Sequence, residues 1–127
     1  MSKVTNSGTG DTSGLPELSI LDGRHRLAVR CLTIHQDSFS IRYTITPPLS
    51  GGDDEASILL FLEAGDDLGR TYSDWGGAFG RSPDGTHTDG SITGQPAVAA
   101  GAGAIRARIT FLSGGEEFPY ALPLPLP

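Results

Sequence analysis

The sequence predicts an all-β protein built from antiparallel sheet, and three observations predict it. Apolar and polar residues alternate in separated segments. Phe39, Ile41, Tyr43 and Ile45 interleave with Ser38, Ser40, Arg42 and Thr44, and Ile105, Ala107, Ile109 and Phe111 interleave with Arg106, Arg108 and Thr110. Successive side chains on a strand point to opposite faces, so each segment has one buried face and one wet face. The 18 glycines and 9 prolines fall between apolar segments, where turns need them. No segment carries a convincing helical period.

The elements follow in chain order. Residues 17–21 are expected to form a short first strand, closed by a turn at Asp22-Gly23. Residues 24–35 read as a long strand with a flaw. Leu27, Val29 and Cys31 share one face, whereas Leu32 and Ile34 fall on the other. Either a β-bulge near Cys31-Leu32 returns both sets to the core, or the strand is buried on both faces. Gln36-Asp37 leads into 38–46, the best-patterned strand, and Pro47-Pro48 stops it because proline offers no N–H to a ladder. Residues 49–56 form a polar, acidic loop. The strongly apolar stretch 57–64 is expected to be central and covered on both sides.

Gly65-Asp66-Asp67 turns the chain into 68–72, and a glycine-rich excursion over 73–85 follows. Residues 86–93 make a weak strand of small polar residues. Residues 95–103 cross between sheets, and 104–112 form the second clear strand. Ser113-Gly114-Gly115-Glu116 is a four-residue hairpin turn. Phe118, Tyr120, Leu122 and Leu124 then alternate in the last strand. Pro123, Pro125 and Pro127 recur at every second residue, which does not match the threefold repeat of polyproline II. On a strand, all three would turn their missing donors to one side, blocking an edge against further pairing.

Seven or eight short strands without a helix predict a two-sheet antiparallel immunoglobulin-like sandwich, with a small up-and-down β-barrel as the alternative. The 127 residues suffice for one domain, expected over 16–127 behind a flexible arm at 1–15 that lacks apolar content.

The net charge of −6 disfavours nucleic acid as the main partner, since phosphate binding needs a basic field. Acids gather in turns, at Asp53-Asp54-Glu55, Asp66-Asp67 and Glu116-Glu117, whereas six of the nine basic residues (Arg24, Arg26, Arg30, Arg42, Arg106 and Arg108) lie on or beside expected strands. The single cysteine, Cys31, sits in an apolar stretch and is expected to be interior. The first fifteen residues carry no apolar leader core, and no run approaches the ~20 apolar residues of a spanning helix, so a cytoplasmic location and no membrane span are expected.

Candidate sites are few. His25, His35 and His87 lie at no metal-ligand spacing, so no metal or other cofactor is expected. No segment supplies the alternating oxygen ligands of a calcium loop. Ser82-Pro83-Asp84-Gly85 and Thr88-Asp89-Gly90 read as turns. No Gly-x-Ser-x-Gly elbow is present, and a non-enzymatic role is expected. Tyr72, Trp75 and Phe79 lie in a glycine-rich stretch that could offer an aromatic platform to a sugar ring or a partner protein, although the expectation for a single tryptophan is burial, with Trp75 folding back to plug one end of the sandwich. Arg42, Arg106 and Arg108 occupy polar strand faces. They would form one basic face if their strands were neighbours, or else pair across strands with Glu63 or Glu117.

The middle of the chain resembles small bacterial immunoglobulin-like domains, including those loosely similar to DUF4352. Three segments carry the resemblance: Asp37-Ser38-Phe39-Ser40-Ile41-Arg42-Tyr43, then Asp66-Asp67-Leu68-Gly69-Arg70-Thr71-Tyr72, and the late strand at 104–112. The resemblance implies a fold and no catalytic residues. The expected role is a protein-interaction or assembly module whose partner is another protein or a second copy. The alternative is a carbohydrate-binding domain that uses the aromatic stretch.

Overall fold

The computed structural model describes residues 15–49 and 58–126. All of the expected N-terminal arm but Leu15, which packs against the core, lies outside the described residues, as do nearly all of the acidic loop and Pro127. Eight strands follow in order: β1 (Glu17–Ile20), β2 (His25–Ile34), β3 (Phe39–Thr46), β4 (Leu59–Asp66), β5 (Thr71–Arg81), β6 (Thr88–Gln95), β7 (Ala104–Ser113) and β8 (Glu116–Pro125). Every pairing is antiparallel, and no helix occurs among the described residues.

The strands form one sheet in the order β1-β2-β3-β6-β5-β4-β7-β8. A single, nearly closed, barrel-like sheet thus takes the place of the two expected sheets, which agrees with the barrel alternative. Its order is not up-and-down, however. The chain leaves β3 and crosses two strand positions to reach β4, and it crosses two more between β6 and β7. At the sheet's two ends, the Leu21 N–H donates to the Tyr120 hydroxyl at 2.6 Å, tying the turn after β1 to β8.

Alternation places the core where the pattern predicts. Phe39, Ile41, Tyr43 and Ile45 of β3 and Ile105, Ala107, Ile109 and Phe111 of β7 are all buried in one cluster, together with Leu27, Leu62, Tyr72, Ile92, Leu122 and Leu124. Registration between β3 and β6 is set by size. Phe39 lies opposite Gly94 and Tyr43 opposite Gly90. A Cβ on either glycine would fall inside the facing ring. Each ring therefore occupies the space its glycine leaves, a cross-strand fit that pins the register.

The flaw in β2 is a bulge. Val29 pairs with Tyr43 and Cys31 with Arg42, leaving Arg30 as the extra residue, its Nε donating to Thr44 Oγ1 at 3.0 Å. One inserted residue exchanges the two faces downstream. Leu32 consequently joins the core side opposite Ile41, and Cys31 is exposed rather than interior, its Sγ 3.4 Å from Thr33 Oγ1.

The glycine-rich excursion is mostly strand, since β5 runs through Trp75, Gly76, Gly77 and Gly80 to Arg81. Pairing with β6 supplies the order that composition did not signal. Thr88-Asp89-Gly90, expected as a turn, opens β6 instead.

β8 ends the sheet as an edge strand. The Leu126 N–H donates to the Gly103 carbonyl at 3.1 Å, so alternation turns the Leu122 and Leu124 amides toward β7. Pro119, Pro123 and Pro125 then face outward with no donor to offer. Two measurements check this fold. Gly94→Ala forces a methyl into the Phe39 ring and should lower the unfolding free energy by about 1–3 kcal/mol in urea denaturation. Hydrogen exchange should be slow at the Leu122 and Leu124 amides and fast at Ala121, which faces the free edge.

Candidate functional site

β4 and β5 leave their shared turn as a pair and then separate. The turn is built on two carboxylates. Asp66 is buried, and it accepts the Leu68 and Arg70 N–H groups at 2.9 Å each and the Tyr72 hydroxyl at 2.6 Å. The Tyr72 hydrogen bond, followed by those two amides, holds the Asp66 carboxyl below the usual carboxylate range. The Tyr72 hydroxyl also accepts the Ala99 N–H at 3.2 Å, and its ring meets Phe39 edge to face at 5.4 Å. Burial and then the Asp66 bond raise its pKa. Asp67 accepts the Gly103 N–H through both oxygens, at 3.0 and 3.1 Å. The acid pair thereby secures the hairpin and the crossing between β6 and β7.

Only three rungs join β4 to β5: Gly65 with Thr71, Ala64 with Tyr72, and Glu63 with Ser73. At the next position a side chain replaces the ladder. The Leu62 N–H donates to Asp74 Oδ2 at 2.9 Å, and Asp74 Oδ1 accepts the Gly76 N–H at 2.7 Å. A bulge lies here, because Asp74 pairs with Gly94 and Gly77 with Ile92, so Trp75 and Gly76 together oppose Thr93. Glycine suits both positions after Trp75. Gly76 has φ 101°, and a Cβ on Gly77 would strike the Ser91 carbonyl.

Beyond the bulge β5 follows β6 while β4 follows β7. The opening is a cleft of about 380 Å³ lined by Tyr43, Ile58, Leu60, Asp74, Phe79 and Ile92. Leu59 and Phe79 of its lining are exposed, at 50% and 38%, and the exposed Trp75 (66%) and Phe61 (47%) adjoin the lining residues Gly76 and Leu60 in the chain. Tyr43 lies within the cleft lining, where burial alone raises the pKa of its hydroxyl, and that hydroxyl has no hydrogen-bond partner among the described residues.

Phe79 therefore lines the opening and the exposed Trp75 adjoins it through Gly76, but Tyr72 is held inside by Asp66 and Phe39. Trp75 does not plug the barrel. Arg42 shares a shallow outer hollow of about 290 Å³ with Phe79 and Asp89. Arg106 and Arg108 lie on β7, which three strands separate from β3, so the arginines form no common face. Arg108 instead pairs across the sheet with Glu63 at 2.7 Å, an exposed ion pair adding under ~1 kcal/mol.

Leu59 lines this opening and Phe61 is exposed beside its lining residue Leu60, although their strand was expected to be covered on both sides. An apolar run reads the same whether its outer face meets protein or water. The signal that locates the opening is Trp75-Gly76-Gly77, the composition of a bulge inside a strand.

The remaining polar groups serve turns. Ser82 accepts the Gly85 N–H through its carbonyl at 2.9 Å. Asp84 Oδ1 accepts Ser82 Oγ–H, Thr86 Oγ–H and Thr86 N–H. His87 lies 2.8 Å from Thr86 Oγ1 and 3.1 Å from Asp89 Oδ1. His25 bonds the Pro47 carbonyl, and His35 bonds Ser40. Among the described residues, no three or more His, Cys, Asp or Glu side chains group to hold a metal ion, and no helix is long and apolar enough to cross a membrane.

The Ser82 hydrogen bond, then those from Thr86, lower the Asp84 pKa from 3.8 to about 2. A depressed carboxyl stabilises the fold above its unfolded value, and that contribution is lost as pH falls through its folded value. The Thr86 amide resonance should therefore titrate as pH drops from 3.8 toward about 2. In Asp84→Asn that transition should vanish from an NMR titration.

No protein-family model matches the chain, and neither the curated proteins nor the solved structures yield a match.

Proposed function

We propose that the chain is a non-enzymatic protein-interaction or assembly module whose working surface is the opening between β4 and β5. The observation that carries this reading is one cleft lined by the exposed Leu59 and Phe79, with the exposed Phe61 and Trp75 next in the chain to its lining residues Leu60 and Gly76. Isolated apolar side chains are ordinary on a protein surface, but four exposed ones on the two strand segments that border a cleft have the composition of a binding patch. Tryptophan and phenylalanine supply large buried area on docking with few rotatable bonds to order. The acids nearby are already committed. Asp74 uses both oxygens on backbone amides, and Asp66 is enclosed by three donors. Neither is free to act as a general base, which supports a binding role over catalysis.

A carbohydrate-binding role is the second reading. Trp75 and Phe79 favour it, as does the unpartnered Tyr43 hydroxyl in the cleft lining. It loses Tyr72, and the committed carboxylates leave few polar groups to receive sugar hydroxyls. Titrating a glycan panel against fluorescence of the single tryptophan separates the two, since quenching by a glycan supports the second reading.

The protein-binding role predicts a clear division of effects. Phe61→Ser combined with Trp75→Ser should leave the unfolding free energy within about 0.5 kcal/mol, as exposed substitutions do. The same pair should reduce recovery of a cross-linked partner from host extract at least tenfold. Equal recovery by both proteins would rule out this surface.

A further inference from the structure

Resting on that reading, we infer that the partner presents an extended peptide segment, alternately apolar and flanked by basic residues, which enters the cleft as an added strand between β4 and β5. The backbone is the first argument. The Leu62 N–H points toward β5, where Asp74 receives it. Ladder groups on a strand repeat their direction every second residue, so the N–H and C=O of Leu60 face the same way. Their side of β4 has no ladder partner among the described residues, since pairing with β5 begins only at Glu63. Across the cleft, every second residue of β5 beyond the bulge likewise turns its backbone groups away from β6. Two strand edges thus confront each other with ladder positions unfilled, which is the arrangement that strand addition completes.

The walls suit such a segment. An added strand points alternate side chains to opposite faces. One set would enter the cleft against Tyr43 and Ile92, whose volume of about 380 Å³ falls within the range of ligand pockets. The other set would lie outside beside Phe61 and Trp75. The chain's own segments beyond the described residues have the wrong composition. Residues 50–57 are small or acidic, and residues 1–14 carry only Met1 and Val4 as apolar side chains. The net charge of −6 makes basic flanks the complementary choice.

The test pans a displayed library of random twelve-residue peptides on the whole protein. Selected peptides are then synthesised and bound while amide exchange is followed. The expected peptides alternate apolar and polar residues between Lys or Arg flanks. Binding should slow exchange at Leu60 at least tenfold. Leu60→Pro removes a donor that faces the cleft, together with a side chain packed against the core, and should weaken binding at least tenfold. The exchange measurement on the unmodified protein stands even if that variant fails to fold. Four results would overturn the inference: no enrichment, enrichment without alternation, binding that leaves Leu60 exchange unchanged, or Leu60 already protected without peptide. In the last case, dependence on protein concentration would identify a second copy as the occupant, and independence would identify the chain itself. If Leu60 is unaffected while the Phe61 and Trp75 serine substitutions still abolish partner recovery, the interaction surface survives and strand entry alone fails.

Discussion

The Asp74 carboxylate, bound to the backbone of two strands at once, is the constraint on which the arrangement depends. One oxygen takes the Leu62 amide of β4, and the other takes the Gly76 amide at the bulge of β5. A side chain in place of a backbone carbonyl ends the ladder while satisfying its last donor. The strands can then part without leaving that amide unpaired, a cost that would otherwise oppose the opening. Trp75 becomes exposed because it lies in the bulge that Asp74 anchors. Phe61 and Leu59 are exposed because alternation along β4 turns them to the outer face with Glu63, while Leu62 is buried.

The rest of the barrel keeps this local separation from spreading. At the turn, Asp66 and Asp67 tie the hairpin to the crossing at Ala99 and Gly103. Facing the cleft, the β3–β6 pair is held in register by Phe39 over Gly94 and Tyr43 over Gly90. Tyr43 serves both regions, since its ring fills the place of a missing Cβ and its buried side chain also lines the cleft. The site is a gap in the wall of a well-packed core, with rigid elements on either side.

Much of this was legible in the sequence. Period-two alternation identified β3 and β7 and named their core residues, because a half-buried strand writes both of its environments into its residues. The proline spacing at the C-terminus identified an edge. Strand neighbours were not legible: nothing local states that β4 lies beside β7 or that β3 and β7 stand apart, and the idea of a joint arginine face depended on that. Cys31 was misplaced because a single extra residue at Arg30 exchanges inside for outside, and that insertion leaves only a phase change in the pattern. The candidate site was half legible. Trp75 and Phe79 drew notice as aromatics in a polar stretch. Leu59 and Phe61 did not, since an apolar run carries no mark of which face meets water.

The prolines of β8 have a consequence for how copies of this protein could stack. A β-sheet lengthens sideways into a fibre only when each newcomer leaves a fresh row of amides for the next. Here that row is interrupted at Pro119, Pro123 and Pro125. Lengthening of a sheet through this side therefore stops at the molecule itself.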